Sequence, residues 1–506
     1  MADPEQTRAA PRSLDDRSAV EQVRREKLAR LRAAGIDAYP AGFHRSHTLA
    51  EVASGWLALA AGEETGDVVR VAGRIVLKRD LGRLGFWTLR QGDDELQIML
   101  APDGLGRERF AAVAELDVGD WVGVEGVVVR TRRGELSVKP GEVLLLGKAL
   151  RPLPDKWKGL ADVETRSRQR ELDLVVNPAA RAAARLRASV VASLRESMAQ
   201  RGYLEVETPI LLPVPGGALA RPFVTHHNAL DTDLYLRVAC ELYLKRLLVG
   251  GLDRVFELGR MFRNEGIDAR HNPEFTMLES NAAFQDYHDM MDLARGVILE
   301  AADAALGGRK LAYQGQVVDL DAEWRRLSLL DAVRQALGRP DLAYDWPLER
   351  LRKLCDRGGV PWLPGWGAGK LVLQLYEKHA EPHIEQPTFV TDYPVEVSPL
   401  AHPHRDDPFL TERFELVILG REYANCFSEL TDPDEQRARM EEQALARAGG
   451  DEDAMVVDEA YLRALELGLP PNAGLGIGVD RLVMLLGDLS SIREALLFPQ
   501  LRPEEL

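Results

Sequence analysis

The sequence predicts an α+β protein in which a small β-barrel precedes an antiparallel β-sheet flanked by helices. Residues 67–147 contain five or six short β-rich runs separated by glycine turns, which is typical of a small closed barrel. From residue 178 onward, strands and helices come in separate groups, and this order favours an antiparallel sheet over strict β–α–β alternation. The length of 506 residues, 45% of them apolar, is sufficient for both parts.

Composition excludes several classes of protein. The three cysteines are far apart and form no CxxC pair, which argues against a disulfide scaffold and a thiolate zinc site. No apolar run reaches the roughly 18 residues of a membrane span. The polar N-terminal residues do not resemble an export signal, so we expect a cytoplasmic protein with no membrane partner.

The formal net charge of −16 argues at first against a nucleic-acid partner, because a polyanion is bound by basic surface. The charge is unevenly distributed, however. Residues 1–177 contain 28 Lys+Arg and 28 Asp+Glu, so the whole acidic excess lies in residues 178–506. A nucleic-acid site in the first part is therefore compatible with the composition.

The N-terminal residues are predicted to form a basic helical extension. Val20, Val23 and Leu28 belong to an imperfect apolar stripe surrounded by arginine and lysine. Such a helix is either a solvated surface helix or a basic helix lying along a phosphate backbone. The predicted boundaries divide the chain into the extension at 1–60, the barrel at 61–150, a proline-rich hinge at 151–177 and a second domain at 178–506.

The barrel has the composition of a nucleic-acid-binding module, for which the OB-fold is one candidate. Phe86 and Trp87 lie near the basic residues Lys78 and Arg79 in sequence. Because successive side chains of a strand point to opposite faces, one aromatic ring should face the core and the other should face outward. An outward ring beside basic groups is typical of a surface that stacks unpaired bases.

A first cluster of chemically active residues surrounds Arg263 and Glu265, with His271 and Phe275 nearby. If both lie on a strand, two residues apart, Arg263 and Glu265 share a face and can meet one ligand. The arginine fork suits a phosphate group and stays charged. The alternative is a surface ion pair at a hairpin tip.

A second cluster has glycines at alternate positions, Gly474, Gly476 and Gly478, followed by Asp480 and Arg481. Glycine lets the backbone approach a ligand or a packed neighbour closely. The pattern is not a P-loop, because no Lys-Ser/Thr pair follows. By itself, this glycine ladder is more typical of packing than of binding.

A third cluster is acidic and surrounds Phe427; its members are Glu415, Glu422, Asn425, Glu429 and Asp432. Two glutamates seven residues apart could bind Mg²⁺, which prefers carboxylate and phosphate oxygens. The alternative is a solvated acidic face. Apolar Phe427 and Leu430 interrupt the acids, which makes a solvated face less suitable.

Together, these clusters resemble the three motifs of the class II aminoacyl-tRNA synthetases. Residues 203–210 are similar to the first motif, residues 260–266 to the second and residues 474–481 to the third. A barrel before the catalytic region resembles the aspartyl, asparaginyl and lysyl subgroup. The segments most similar to the lysyl-tRNA synthetase family are residues 151–157, 216–231 and 241–246.

The resemblance implies a class II antiparallel catalytic sheet and an anticodon-binding OB-fold barrel. It implies that lysine is activated with ATP to lysyl-adenylate and that the lysyl group passes to the 3′ end of tRNA(Lys). The implied partners are tRNA(Lys), ATP, L-lysine and a second copy of the chain, which would form a homodimer through the first motif. The implied cofactor is Mg²⁺.

The resemblance also implies roles for individual residues. Arg263 and Arg481 are expected to be catalytic, because they hold the phosphates of ATP. The expected ATP-binding residues are Arg263, Glu265, His271, Phe275, Glu415 and Arg481, and the expected metal ligands are Glu415 and Glu422. The expected amino-acid pocket consists of Gly217, Glu241, Glu279, Asn281, Asn425, Phe427 and Glu429. The expected anticodon-binding residues are Arg79, Phe86, Gln97 and Glu135.

The sequence departs from the family pattern at two pocket positions. Asn281 stands where the family usually has a tyrosine that contacts the lysine side chain, and Cys240 stands where it often has proline. An asparagine is shorter than tyrosine but can still accept a hydrogen bond from an ammonium group.

Three other functions remain as alternatives. A paralogue could activate lysine or an analogue for an acceptor other than tRNA, although such a paralogue is expected to lack the barrel. A non-catalytic tRNA-binding protein would not need Arg263, Glu265, Glu422 and Arg481 together. An aspartyl or asparaginyl enzyme would need cationic rather than acidic partners for its substrate side chain.

Overall fold

The computed structural model describes residues 18–82, 84–154, 160, 162–448 and 455–503. Residues 1–17 of the predicted extension, and 155–159 and 161 of the predicted hinge, lie outside the described part. The chain divides into two units, residues 1–181 and 182–506, each with its own hydrophobic core.

The first unit is a β-barrel with short helices. Its strands are β1 (Glu64–Asp80), β2 (Gly85–Gln91), β3 (Asp94–Leu100), β4 (Trp121–Arg130) and β5 (Leu136–Gly147). Its helices are α1 (Ala19–Ala33), α2 (Leu49–Gly55), α3 (Pro102–Leu105), α4 (Arg107–Ala114), α5 (Val163–Arg168) and α6 (Arg170–Val176). The strands close in the order β1-β2-β3-β5-β4, which confirms the predicted barrel.

The two adjacent aromatic residues of β2 point to opposite sides of the barrel wall. Trp87 is completely buried in the barrel core, whereas Phe86 is only half-buried. This alternation continues along β2, because Gly85 and Leu89 are buried while Thr88 is half-buried. The sequence-based expectation of one inward and one outward ring is therefore confirmed.

Helix α1 faces the barrel with only part of the predicted apolar stripe. Val20 and Val23 are both exposed, whereas Leu28 is buried in the barrel core. Arg24 is also buried, and its guanidinium donates hydrogen bonds to the carbonyl oxygens of Val118, Ala149 and Arg151. Because Arg24 satisfies backbone acceptors of the barrel, it serves to attach the helix rather than to meet a phosphate backbone.

The second unit is built on a large sheet with helices. Its strands are β6 (Leu204–Glu205), β7 (Leu211–Leu212), β8 (Val224–His227), β9 (Thr232–Leu236), β10 (Arg254–Phe262), β11 (Glu274–Ala283), β12 (Lys310–Tyr313), β13 (Gln316–Asp319), β14 (Arg325–Ser328), β15 (Thr388–Thr391), β16 (Arg413–Ile418), β17 (Arg421–Ser428) and β18 (Asn472–Gly478). Its helices are α7 (Pro178–Gln200, beginning just before the division), α8 (Glu241–Val249), α9 (Tyr287–Leu306), α10 (Leu329–Leu337), α11 (Leu348–Arg357), α12 (Ala368–His379), α13 (Pro433–Ala448), α14 (Glu459–Leu465), α15 (Val479–Leu486) and α16 (Ile492–Ala495).

The main sheet has the strand order β14-β15-β16-β17-β18-β11-β10-β6. All its central pairs are antiparallel, as predicted. The two outermost pairs, β14 with β15 and β10 with β6, are parallel, so the sheet is mixed at its edges. Smaller sheets pair β12 with β13 and join β7, β9 and β8.

One face of the main sheet is covered by helices α9 and α15. Leu475 and Ile477 of β18 point into this core together with Leu278 and Ala282 of β11. Because side chains alternate along a strand, the intervening residues of β11 and β18 point to the opposite face. That opposite face carries the candidate site.

Helices α10, α11 and α12 form a separate cluster with its own core, inserted between β14 and β15. Leu351, Leu371 and Tyr376 are completely shielded from solvent there. Among the described residues, no helix combines the length and the apolar composition that crossing a membrane requires.

Candidate active site

A deep cleft opens on the sheet face opposite α9 and α15, over strands β11, β17 and β18. Most residues expected from the resemblance line it, namely Gly217, Glu241, Arg263, Glu265, His271, Phe275, Glu279, Asn281, Glu422, Asn425, Phe427, Glu429 and Arg481. Glu415 does not line the cleft. The cleft brings together side chains that are more than 250 residues apart in the sequence, which only the pairing of these strands makes possible.

Strand register determines which residues meet across the floor of the cleft. Glycines of β18 lie between β11 and β17, with Gly476 opposite Glu279 and Asn425, and Gly474 opposite Asn281 and Phe427. Because glycine has no side chain, the side chains of β11 and β17 can occupy the space above the backbone of β18.

The glycine ladder makes room for the site's own side chains. A Cβ atom at Gly474 would overlap Oε1 of Glu429 and would lie 2.9 Å from Nδ2 of Asn281. A Cβ atom at Gly476 would lie 3.1 Å from Cε of Met277. Glycine is therefore required at position 474 by close packing, and the neighbours that it packs against are themselves side chains of the cleft.

Arg263 and Glu265 follow strand β10, which ends at Phe262, so they do not share a strand face as the sequence analysis assumed. A tight turn, in which the Glu265 N–H donates to the Arg263 carbonyl oxygen at 2.9 Å, brings both to the cleft. The Arg263 guanidinium lies 5.1 Å from the centre of the Phe275 ring, and its buried Nε has no hydrogen-bond partner among the described residues. A cation held this way is suited to an incoming anion.

His271 lies at the rim of the cleft, in a loop organised by Asp268. Asp268 accepts hydrogen bonds from the backbone of Arg270 and His271, and its Oδ2 lies 2.9 Å from Nδ1 of His271. Burial opposes ionisation, but these hydrogen bonds lower the pKa of Asp268 to about 2. The carboxylate therefore stays ionised and fixes the position of the imidazole ring.

Arg481 lies in the first turn of helix α15 and lines the cleft. Its guanidinium donates to the carbonyl oxygen of Glu422 at 2.9 Å and to Oε2 of the same residue at 3.1 Å. The preceding Asp480 is buried and accepts hydrogen bonds from the Thr276 N–H and from Arg187. This contact ties the start of α15 to strand β11.

Glu415 and Glu422 form an acidic pair beside Arg481. Burial and the charge of Glu422 raise the pKa of Glu415 to about 7, although Arg413 donates a 2.7 Å hydrogen bond to it. Burial and the charges of these two acids also raise the pKa of Glu381 to about 8. Glu381, which lines a second cavity with Glu422 and Arg481, was not found from the sequence; no motif surrounds it.

Lys245 is the most informative residue that the sequence analysis missed. Its side chain is completely buried, and its ammonium contacts Oε1 of Glu241 at 2.5 Å and Oε2 of Glu429. Burial favours the neutral amine, but the two carboxylates prevail and raise the pKa of Lys245. The spacing of four residues from Glu241 was the available signal, because such residues are neighbours on a helix.

The other oxygen of Glu429, Oε1, accepts a 2.9 Å hydrogen bond from the amide Nδ2 of Asn281, which also lies 3.3 Å from Oδ1 of Asn472. Asn281 thus replaces the expected tyrosine with an amide that holds Glu429. Burial raises the pKa of Glu429 to about 8, against the attraction of Lys245.

Glu279 and Gly217 lie beside Glu241 in the cleft. Oε2 of Glu279 accepts hydrogen bonds from the backbone N–H of Cys240 at 3.0 Å and from its thiol at 3.1 Å. Burial raises the pKa of Glu279. Gly217 adopts a positive φ of 90°, and a Cβ atom there would lie 3.2 Å from Cβ of Ala239. Asn425 accepts a 3.0 Å hydrogen bond from Nε of Arg413.

In the first unit, three of the expected anticodon-binding residues share the outer face of the barrel. Arg79 pairs with Phe86 across β1 and β2, and Gln97 pairs with Thr88, two residues along β2 from Phe86. Gln97 donates a 2.9 Å hydrogen bond to the hydroxyl of Ser137. Glu135 is exposed in the turn before β5, two residues before Ser137.

Comparison with protein families matches both units. A model described as tRNA synthetases class II (D, K and N) matches residues 162–502, and one described as an OB-fold nucleic acid binding domain matches residues 69–146. The chain therefore belongs to the class II tRNA synthetases.

Curated relatives narrow this assignment. A lysine–tRNA ligase of Carboxydothermus hydrogenoformans is 48% identical over 96% of this chain and 98% of the relative. Lysine–tRNA ligases of Azoarcus sp. and Thermosynechococcus vestitus are each 49% identical and are matched over 99% and 97% of their lengths, covering 98% and 96% of this chain. Within its class, the chain belongs to the lysine–tRNA ligase family.

Proposed function

We propose that this chain activates lysine with ATP to form lysyl-adenylate and then transfers the lysyl group to the 3′ end of tRNA(Lys). One observation carries this proposal: the same cleft is lined by the arginines Arg263 and Arg481 and by the buried acids Glu279 and Glu429. Arginines suit the triphosphate and acids suit the two ammonium groups of lysine. Residues 178–506 would form the catalytic domain.

In the first step, the lysine carboxylate attacks the α-phosphorus of ATP and pyrophosphate leaves. The carboxylate and the triphosphate repel each other, so the site needs fixed positive charge where negative charge accumulates. Arg263 would hold the α-phosphate, because its Nε is unpaired among the described residues and its guanidinium lies over the Phe275 ring. Arg481 would hold the γ-phosphate end.

ATP would be oriented by its base as well as by its phosphates. Phe275 lines the cleft and would stack on the adenine ring, with Glu265 accepting from the adenine amino group. His271 would lie near the phosphates. In the second step, the terminal 3′-hydroxyl of tRNA attacks the mixed anhydride, and AMP leaves. No protein nucleophile is required in either step.

Glu415 and Glu422 would hold Mg²⁺, and their environment fits that cation. Mg²⁺ is usually bound by one or two carboxylates together with substrate phosphates. Among the described residues, no group of three or more His, Cys, Asp and Glu side chains forms a metal site, so phosphate oxygens would have to complete the coordination. Burial and the charge of Glu422 raise the pKa of Glu415, so a divalent cation beside the two acids would favour their ionised forms. Bound Mg²⁺ would neutralise charge on the phosphates.

The part of the cleft around Glu241, Glu279 and Glu429, which would hold the amino acid, favours lysine over aspartate or asparagine. Lys245 is a cation in this region, but Glu241 and Glu429 already pair with it, and it does not line the cleft. Glu279 adds a third acid to the same part of the cleft. An acidic substrate side chain would meet like charges at these three acids, and burying like charges beside one another is costly.

The barrel would bind the anticodon of tRNA(Lys). Phe86 would stack on one base, while Arg79, Gln97 and Glu135 would contact base edges and phosphates. The neutral composition of residues 1–177 allows local basic contacts, which should weaken as salt concentration rises. Because the chain keeps the barrel and these residues, it gives no support to the alternative of a paralogue with an acceptor other than tRNA.

The chain would act in the cytoplasm as a homodimer formed through the first motif. That segment leaves Leu204, Ile210 and Leu211 exposed, and β6, which contains Leu204, is the edge strand of the main sheet. Exposed apolar side chains grouped on one segment are typical of a subunit interface. Light scattering of Leu211→Arg should then report a smaller assembly than that of the wild type.

The decisive experiment is ATP–pyrophosphate exchange with each of the amino acids separately, followed by charging of tRNA. Exchange that lysine stimulates above all others, together with charging of tRNA(Lys), supports the proposal. Exchange that is equal for all amino acids would overturn the choice of lysine. Strong lysine-dependent exchange without charging would instead favour the paralogue.

A further inference from the structure

Lys245 occupies a site that is unusual for a lysine. Its side chain is completely buried, although it lies in α8 only one turn after Glu241, which lines the cleft. A buried ammonium is costly unless opposite charges surround it. The groups around the ammonium must therefore offset this cost.

The ammonium lies in a cage of two acids and two aromatic rings. Glu241 and Glu429 contact it directly. The ring centres of Phe427 and Tyr461 are 5.5 Å and 5.9 Å from Nζ, within the range of cation–π attraction. Helices α8 and α14 and strand β17 therefore meet at one positive charge.

Because one ammonium contacts both acids, the carboxylates of Glu241 and Glu429 must lie beside each other. Without a cation between them they would repel. Glu429 is held on its second oxygen by Asn281, so both of its oxygens are fixed by protein groups. When both acids are ionised, the ammonium cancels one of the two negative charges and one is left for a ligand.

We propose that Lys245 is a positioning residue for the amino-acid substrate, whose buried ammonium holds Glu241 and Glu429 side by side and, when both acids are ionised, leaves them one net negative charge to match one substrate ammonium. The inference rests on the proposed activation of lysine. It assigns Lys245 no contact with the substrate, because the residue acts through the two acids.

Removing the charge should change how tightly lysine binds. Lys245→Met leaves two adjacent buried acids without a cation, and truncating one partner of such a pair costs roughly 100-fold in affinity. We expect KM for lysine to rise by about that factor in pyrophosphate exchange, while KM for ATP stays close to the wild-type value. A residue with only a structural role would affect both substrates alike or neither.

The pH dependence provides a second readout. The titratable groups around this cage are Glu241 of α8, Glu279 of β11, Cys426 of β17, Glu429 after β17 and Tyr461 of α14. The positive charge of Lys245 lowers the pKa of Glu429 against the effect of burial. In Lys245→Met, the midpoint of the pH profile of kcat/KM for lysine should therefore move to higher pH.

A double variant separates charge matching from packing. Lys245→Met with Glu241→Gln removes one positive and one negative charge and restores a single net negative charge. If Lys245 serves to cancel charge, this double variant will show a lower KM for lysine than Lys245→Met alone. If Lys245 only fills space, the second substitution will leave KM unchanged or raise it further, and the inference fails.

The experiment uses the full chain, with melting temperature measured for each variant. The double variant also removes the uncompensated buried charge, so it keeps the test decisive if Lys245→Met does not fold. Lysine-dependent exchange by the wild type is measured first, and its absence would overturn the proposed function itself. Normal wild-type exchange, with KM and pH profile unaltered in a folded Lys245→Met, would overturn only the role of Lys245.

Discussion

The carboxylate of Glu429 occupies the space in which a side chain at position 474 would lie. A Cβ atom at Gly474 would overlap Oε1 of Glu429, and the amide of Asn281 lies within 2.9 Å of the same point. Because Lys245 and Asn281 hold the two oxygens of Glu429, the carboxylate has little freedom to move aside. The pocket can therefore keep this shape only if residue 474 of β18 is glycine.

Substitution Gly474→Ala should weaken lysine binding more than ATP binding. The added methyl group displaces Glu429, and overpacking of a rigid interior typically costs about 1–3 kcal/mol. We expect KM for lysine to rise about tenfold or more in pyrophosphate exchange, with a small change in KM for ATP. Gly308→Ala is the control, because a Cβ atom there meets nothing within 4 Å. Equal effects of the two substitutions would contradict this account.

Substitution Arg263→Ala should strongly slow adenylate formation. Loss of one fixed donor to charge that develops in a transition state typically costs about 10²–10³ in kcat. Single-turnover formation of lysyl-adenylate measures this step directly. Arg263→Lys keeps a charge but loses the planar fork that lies over Phe275, so we expect it to recover only part of the rate. If Arg263→Lys recovered the full rate of adenylate formation, the planar guanidinium would not be required.

Substitutions of the adjacent residues Phe86 and Trp87 in β2 should affect different properties, the first tRNA charging and the second stability. Phe86→Ala removes a half-buried outer ring, so charging of tRNA(Lys) should weaken by about 1–3 kcal/mol while pyrophosphate exchange stays normal. Trp87→Ala removes a fully buried ring and should destabilise the barrel by about 3–5 kcal/mol. Charging assays and thermal melts of the two variants distinguish these effects. An equal loss of exchange in Phe86→Ala would contradict the assignment of the barrel.

Lysine affinity should increase as pH rises through the region just below 8. Burial raises the pKa of Glu429 to about 8, so below that pH the acid carries a proton that a lysine ammonium must displace. The ε-ammonium of free lysine has a pKa near ~10.4 and keeps its charge over this range. KM for lysine should therefore fall by up to about tenfold per pH unit and then level off. A KM that is constant from pH 6 to 8 would show that Glu429 is already ionised there.

The sequence was sufficient for the barrel and for the antiparallel sheet, because both depend on local patterns, whereas most residues of the cleft were expected only from the resemblance to a family. Alternating runs with glycine turns predicted the barrel, and alternation within β2 placed Phe86 outside and Trp87 inside. The position of α1 was predicted less well. Val20 and Val23 are apolar but exposed, because the buried contacts of the helix are made by Leu28 and by the hydrogen-bonding Arg24.

The features that the sequence analysis missed depend on contacts between distant segments. Lys245 pairs with Glu429, 184 residues further along the chain, and no local pattern marks that contact. Glu381 belongs to the segment between α12 and β15, and only the fold brings its carboxylate within the electrostatic influence of Glu415 and Glu422. Strand β10 ends at Phe262, before both Arg263 and Glu265, because a turn begins at Arg263.

The charge cage around Lys245 has a consequence for how the substrate of such a pocket could change during evolution or design. Replacing Glu429 alone, to admit a neutral side chain, would leave Lys245 with a single partner, and replacing Lys245 alone would leave two acids in contact. Either first step passes through a destabilised intermediate. The two positions should therefore change together, and a library that varies only the residues lining the cleft would not contain the productive combinations.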